Sequence, residues 1–296
     1  MKLGLLTAAF PQRTLDEVAA WAGGAGFQAL EIACWPGAHL DVAAFDPDAV
    51  LDLLAGHSLE ISALAYYPNN LDPDDAAREA AHAHLRRVID AAARLGVGVV
   101  CTFAGADRRA PLPENLERFR RIWPPLVGYA EERGVRIAIE NCPMVFDWEQ
   151  WPSGTNLAYC PAAWDAMFEA IPSGSLGLNL DPSHLLWLQV DYERAVRDYG
   201  ERILHVHAKD TEVRRDGLYR HSILSLGMGW QAARMPGRGE IDWGRFVGAL
   251  REVGYDHVIS VEHEDEEFEG SDDLVERGFE VARDTLRPLL CGTISA

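Results

Sequence analysis

Lysine is nearly missing from this 296-residue sequence: of 27 basic residues, only Lys2 and Lys209 are not arginine. Positive charge is scarce altogether, because 46 acidic residues bring the formal net charge to −19. Such a chain repels phosphate backbones at long range, which excludes a general nucleic-acid binder and leaves room only for one local basic groove. Cysteine is sparse too. Cys34, Cys101, Cys142, Cys160 and Cys291 are odd in number and form no CxxC pair, so neither a zinc knuckle nor a disulfide framework is indicated and a reducing cytoplasm is the expected setting. No apolar run reaches the ~18 residues of a membrane span, so no membrane partner is expected. The opening Met1–Phe10 carries one charge and a short apolar stretch, which reads as a first strand rather than a leader. No Pro/Gly/Ser-rich linker divides the chain either. A length of 296 residues is about twice the ~150-residue prior for one domain, yet α/β barrels fill it as a single unit.

What is present is ordinary globular material, 48% hydrophobic and 25% charged, enough to build a sizeable core. Short apolar runs alternate with longer amphipathic stretches rich in alanine and arginine. Strands are predicted at Leu3–Ala8, Ala29–Cys34, Glu60–Tyr66, Val97–Phe103, Val135–Asn141, Leu176–Asp181, Ile203–Ala208 and His257–His263. Helices are predicted near Thr14–Gly24, Pro47–Gly56, Asp74–Leu95, Pro113–Arg133, Pro161–Ile171, Asp191–Tyr199, Asp242–Glu252 and Ser271–Leu289. Eight such alternations fit a single-domain α/β chain, a (β/α)8 TIM barrel over residues 1–296, better than a doubly wound open sheet.

Parity supports the barrel. Alternate residues of a barrel strand face the helices and the interior, so the outward set should be apolar and the inward set can be small or polar. Ile137 and Ile139 oppose Ala138 and Glu140; Leu178 and Leu180 oppose Asn179 and Asp181; Leu204 and Val206 oppose His205 and His207; Ile259 and Val261 oppose Ser260 and Glu262. Four successive strands thus aim a polar residue inward near their C-terminal ends, where barrel active sites sit. Three carboxylates and an imidazole at one place repel unless a cation joins them, and O3N ligation suits one divalent ion, Mn, Mg, Co or Zn. Taken singly, each residue reads better as an isolated polar strand end or a helix-cap residue; it is the four together that point to a metal.

The runs Ile139-Glu140-Asn141, Asn179-Leu180-Asp181-Pro182-Ser183-His184, His205-Val206-His207-Ala208-Lys209-Asp210, Ser260-Val261-Glu262-His263-Glu264-Asp265 and Pro236–Trp243 occur in an order that resembles the xylose isomerase-like TIM barrels, sugar phosphate isomerases and epimerases. The resemblance implies that Glu140, Asp181, His207 and Glu262 bind one divalent metal. It also implies that Glu140 and Glu262 pass a proton through an enediolate of a sugar, sugar phosphate or inosose-type cyclitol. His207 is the metal histidine by this pattern, and His205, two residues deeper, is expected as a hydrogen-bonded interior residue. His184 matches a substrate-binding histidine of the related ketose 3-epimerases; the alternative is a cap on the turn after Asp-Pro-Ser. Those epimerases also carry a second glutamate six residues past the strand-five ligand and an arginine six past the metal histidine. Here Phe146 and Val213 hold those places, with Asp147 and Arg214 one step away.

Lys209 shares parity with His207, and as a compact, pKa-shifting ammonium in an arginine chain it is expected to touch substrate or serve as an acid/base, or else to bridge Asp210 or Glu264. Glu264 is expected at the rim as a substrate or supporting acid. Glu31, inward on the second strand, is expected to accept a sugar hydroxyl or a supporting hydrogen bond, or else to pair with Arg136. Arg238, in a Gly-flanked loop, is either a substrate contact or a solvated arginine. Residues 209–241 form an unusually long connection, with six basic residues against three acidic ones from Lys209 to Arg238, and with Met228, Trp230 and Met235. A lid or a contact in a homo-oligomer, dimer or tetramer, is expected there. Trp35, Trp148, Trp151 and Trp187 are expected to line or roof the pocket. The rival functions are a lyase or dehydratase using the same metal, a DNA-repair enzyme of the endonuclease IV type, which the charge disfavours, and a non-catalytic binding role.

Overall fold

Eight short strands close on themselves in the computed structural model, which describes residues 1–145, 154–223 and 229–291. They are β1 (Lys2–Leu6), β2 (Ala29–Ala33), β3 (Glu60–Ala65), β4 (Val99–Thr102), β5 (Arg136–Glu140), β6 (Leu176–Leu180), β7 (Ile203–Ala208) and β10 (Val258–Val261). Between the last two lies an antiparallel pair, β8 (Asp210–Val213) and β9 (Gln231–Arg234). Around the barrel the order is β1-β10-β7-β6-β5-β4-β3-β2, and each neighbouring pair is parallel. The chain is a (β/α)8 TIM barrel in one domain. Among the described residues no helix is long and apolar enough to cross a membrane.

The two faces of the strands part as the alternation predicts except at Leu204, expected outward with Val206 but turned inward where the β6–β7 register shifts between Leu178 and Asn179. Ile137, Ile139, Leu176, Leu178, Leu180, Val206 and Ile259 pack outward in one large cluster with the helices. Ala63, Val99, Cys101, Ala138 and Leu204 fill the interior against Tyr67. The helix Asp75–Leu95 shows how the outer layer is held: Leu85, Val88, Ile89 and Ala92 form its buried stripe, and each large apolar side chain contributes about 1.5–3 kcal/mol on burial. Asp74 caps its start by accepting from the Ala77 N–H, and Gly96, at φ +68°, ends it.

Two expectations change. The single helix predicted over Pro113–Arg133 is two, Leu112–Ile122 and Pro124–Glu131. Pro124 and Pro125 lack the N–H groups that would continue the ladder, so the chain turns at Trp123, whose indole donates to the Ala104 carbonyl at 2.9 Å. The long connection after β7 is not an open loop: β8, the helix Arg215–His221 and β9 give it regular structure. Its base is knotted by Asp210, whose carboxylate accepts from the N–H groups of Thr211, Gly237 and Ile241 and from the Trp243 indole at 2.9–3.0 Å. Gly239 lets this happen, since a Cβ there would lie 2.1 Å from Asp210 Oδ1.

Candidate active site

Parity places Glu140 at the end of β5 and His207 near the end of β7, and the residues just past β6 and β10, Asp181 and Glu262, stand beside them. One donor atom from each of the four lies within 4.8 Å of all the others. Backbone ties hold these strand ends in register. Asn141 bridges β5 to β6, accepting from the Asp181 N–H at 2.7 Å and donating to its carbonyl at 2.9 Å. Asn156 donates to the Glu140 and Cys142 carbonyls and accepts from the Ala104 and Gly105 N–H groups. Asp181 spends Oδ1 on the Ser183 N–H that opens the following helix.

Several buried polar atoms here make no hydrogen bond: Asp181 Oδ2, His207 Nδ1 and both ring nitrogens of His184. In a protein interior such atoms are costly unless a partner arrives. His207 Nδ1 lies 3.3 Å from Glu262 and 3.7 Å from Glu140, and His184 Nε2 lies 3.4 Å from Asp181 and 3.5 Å from Glu140. Three carboxylates and one imidazole nitrogen facing a common point are a donor set that fits one divalent cation.

The electrostatics agree. Burial alone raises a carboxyl, yet Lys209 and His207 outweigh it and hold Glu262 well below the usual range. Asp181, where burial prevails over Lys209, is raised. Burial lowers His207, but Glu31, Glu262 and Glu140 hold it well above the usual histidine value. Lys209, likewise raised by Glu262, Glu264 and Asp181 against burial, lies 2.6, 2.9 and 3.4 Å from them. It therefore bridges Glu264, as one expectation had it, while Asp210 is occupied by the knot at the base of β8.

Beside the cluster opens a cavity of about 350 Å3, walled by His184, Lys209, Glu264, Trp187 and Cys142 among others. Two expected contacts lie elsewhere, and Glu31 makes the supporting hydrogen bond that was one of its alternatives. Arg238 is turned to Glu267 at 2.6 Å and to Asp265 at 3.5 Å, with its guanidinium over Phe268. Trp35 is half-buried and is not among the described residues of the cavity wall. Glu31 is fully buried behind His207, accepting from its Nε2 at 2.8 Å and from the Tyr67 hydroxyl at 2.7 Å; it does not pair with Arg136. Burial would raise its carboxyl, but His207 and His205 bring it down to about 2.

The basic island also dissolves. Arg214, Arg215, Arg234 and Arg238 meet Glu212, Glu240, Asp265, Glu266 and Glu267, and these partners lie partly outside the stretch in which the charges were counted. Trp230 is buried against Trp187 at 6.1 Å between centroids, and Met235 is buried in the large cluster. Trp148, Trp151, Met228, Phe146 and Asp147 lie outside the described residues. Tyr67 was missed, although Ala63 and Ala65 share its parity and point to it. Two further groups, Glu31 with Cys101 and His205, and Glu140 with Cys142 and His184, bring potential ligands together as well, so the cluster is less solitary than the sequence implied.

Among curated proteins, the chain is 32% identical over 152 residues to the uncharacterized protein YfiH of Bacillus subtilis, covering 48% of this chain and 45% of that one. It is 27% identical over 140 residues to the uncharacterized protein MJ1311 of Methanocaldococcus jannaschii, covering 47% and 40%. The match thus spans under half the length of either relative. Among solved structures it superposes on the IolI protein with a bound zinc atom (TM-score 0.76, 19% identity, 100% of both chains). It also superposes on a D-psicose 3-epimerase studied with D-fructose (0.72, 16%, 99% and 100%) and on AsbF, a probable 3-DHS dehydratase of Bacillus anthracis (0.73, 15%, 97% and 99%). At these identities the structures attest the fold alone. The family model described as xylose isomerase-like TIM barrel runs from residue 19 to residue 285, across β5, β6, β7 and β10, and the chain belongs to that family.

Proposed function

We propose that this chain is a divalent-metal-dependent isomerase or epimerase of a sugar, sugar phosphate or inosose-type keto-polyol. The observation that carries the reading is the meeting of Glu140, Asp181, His207 and Glu262, with Asp181 Oδ2 and His207 Nδ1 left without a hydrogen bond, beside a cavity large enough for a small polyol. These four residues would hold the ion, which supplies a positive charge that draws electron density from a carbonyl and eases loss of the neighbouring C–H proton. Glu140 and Glu262 lie on either side of the substrate in this reading, one taking the proton and the other returning it to carbon. Lys209, 2.6 Å from Glu262, keeps that carboxylate ionised, the form a base requires. His184, with both ring nitrogens unbonded, is placed to donate to the substrate oxygen on which negative charge grows. Glu264, half exposed on the cavity wall, can accept a hydroxyl.

Lys209 favours a second reading, a lyase or dehydratase. An ammonium on the cavity wall can protonate a departing hydroxyl, so the same carbanion would expel water instead of being reprotonated. A homo-oligomer fits Tyr219, 91% exposed on the helix Arg215–His221, and light scattering would read it. Five free cysteines support a reducing, cytoplasmic setting.

The test uses dialysed protein with Mn2+, Mg2+, Co2+ or Zn2+ added back, and keto sugars, their phosphates and inososes in D2O. Deuterium should enter at the carbon beside the carbonyl, and Glu140→Gln and Glu262→Gln should each abolish turnover. A product lighter by one water selects the lyase reading. Full activity in either variant, or in metal-free protein, overturns the mechanism.

A further inference from the structure

A chain of hydrogen bonds crosses the barrel interior behind the proposed metal ligands, and the chemistry of its members fixes the direction of each bond. Tyr67 has one hydroxyl proton, and a carboxylate has none to offer, so at 2.7 Å Tyr67 donates to Glu31 Oε1. The same hydroxyl must then accept from Asn179 Nδ2, 3.1 Å away. That turns Asn179 Oδ1 toward His205 Nδ1, 3.0 Å away, which must carry a hydrogen. His205 Nε2 is left as the acceptor for the Ser62 hydroxyl at 3.2 Å. Every donor therefore points along the chain toward Glu31.

The other oxygen of Glu31 determines the state of His207. His207 Nε2 faces Glu31 Oε2 at 2.8 Å and the Tyr67 oxygen at 3.3 Å. The first can only accept, and the second has already spent its proton. Nε2 must therefore be the protonated nitrogen. In the neutral ring the lone pair is then confined to Nδ1, the unbonded atom that faces Glu140 and Glu262.

We infer that Glu31 and Tyr67 are positioning residues that fix His207 as an Nδ1 ligand, so that metal affinity depends on side chains that never touch the ion. This rests on the metal reading above and adds to it the source of the affinity. A carboxylate behind a ligating imidazole orients the ring and makes it a better donor, and loss of such a partner costs about 10- to 100-fold in affinity. Asn179 and Ser62 complete the line by holding Tyr67 in the donating orientation.

The test is metal affinity, read by calorimetry with Mn2+ or Zn2+ against a competing chelator. Glu31→Gln, which keeps the size of the side chain, should weaken binding about 10- to 100-fold, and Tyr67→Phe less than that. The melting temperature of the metal-free variants separates a structural role, which would lower it and leave the affinity as it was. In zinc-loaded wild-type protein labelled with nitrogen-15 histidine, His207 should show the hydrogen on Nε2; a hydrogen on Nδ1 overturns the inference without any variant. If wild-type protein binds a divalent ion and both variants bind it as tightly, the relay falls and the metal reading stands. If wild-type protein binds none, both fall.

Discussion

Asp210→Asn exchanges one carboxylate oxygen for an amino group of nearly the same size, at a fully buried position that receives four N–H donors at 2.9–3.0 Å. Oδ1 serves Thr211 and Ile241 and Oδ2 serves Gly237 and Trp243, so whichever way the amide turns, two N–H groups face an NH2 group. A hydrogen bond to a charged group contributes about 1.5–3 kcal/mol, and two lost bonds therefore cost about 3–6 kcal/mol. Weakening of the other two by loss of the charge adds to this. Against a total stability of about 5–15 kcal/mol that is a severe change, and it should concentrate where the four donors lie. Hydrogen exchange should show the amides of β8, β9 and residues 235–241 losing protection, while those of β4, β5 and β6 stay close to wild type. Urea unfolding supplies the global value. An unfolding free energy within about 1 kcal/mol of wild type, or protection lost evenly around the barrel, would show that Asp210 does not hold the excursion.

Lys209→Met removes a buried cation from among three carboxylates and should destabilise the metal-free protein by about 3–5 kcal/mol. Glu262, held below its ordinary 4.5 largely by Lys209, contributes stability that is present above that pH and lost as pH falls. The cost of the substitution should therefore be greatest near neutrality and shrink in acid. A divalent ion should restore more melting temperature to this variant than to wild type; equal gains would refute the argument. Gly177→Ala puts a Cβ 2.3 Å from the Arg202 carbonyl and 2.6 Å from Leu204 Cγ, between two barrel strands that cannot part. It should cost about 1–3 kcal/mol of unfolding free energy read by urea titration, and a neutral result would mean that β6 and β7 adjust more easily than the packing implies.

The barrel was legible in the sequence because its signal is periodic. Leu176, Leu178 and Leu180 can serve only one face of a strand, and the same pattern recurs often enough to leave few folds. The meeting of Glu140, Asp181, His207 and Glu262 followed from the same parity, since each stands on the inward side at or near the C-terminal end of its strand. Where the sequence misled, the deciding contact was long-range and carried no local pattern. Arg238 sits in a loop that looks open, but its partner Glu267 is 29 residues on. Tyr67 lies just beyond β3, and its partners Glu31 and Asn179 come from β2 and β6. The helix break at Trp123 was readable in principle from the paired prolines that follow, but the apolar spacing on both sides concealed it.

The order of strands around the barrel divides the labour of the site. Glu140, Asp181, His207 and Glu262 come from four adjacent strands, β5, β6, β7 and β10, and the described cavity wall comes from residues 142–266. Residues from the first half of the chain, Glu31, Ser62 and Tyr67, stand behind that wall. In the proposed reading the second half thus holds the reagents and the first half acts as a buttress. In that reading a change to the interior of β2 or β3, or to Tyr67 in the loop just after β3, would alter the metal affinity without ever facing the substrate.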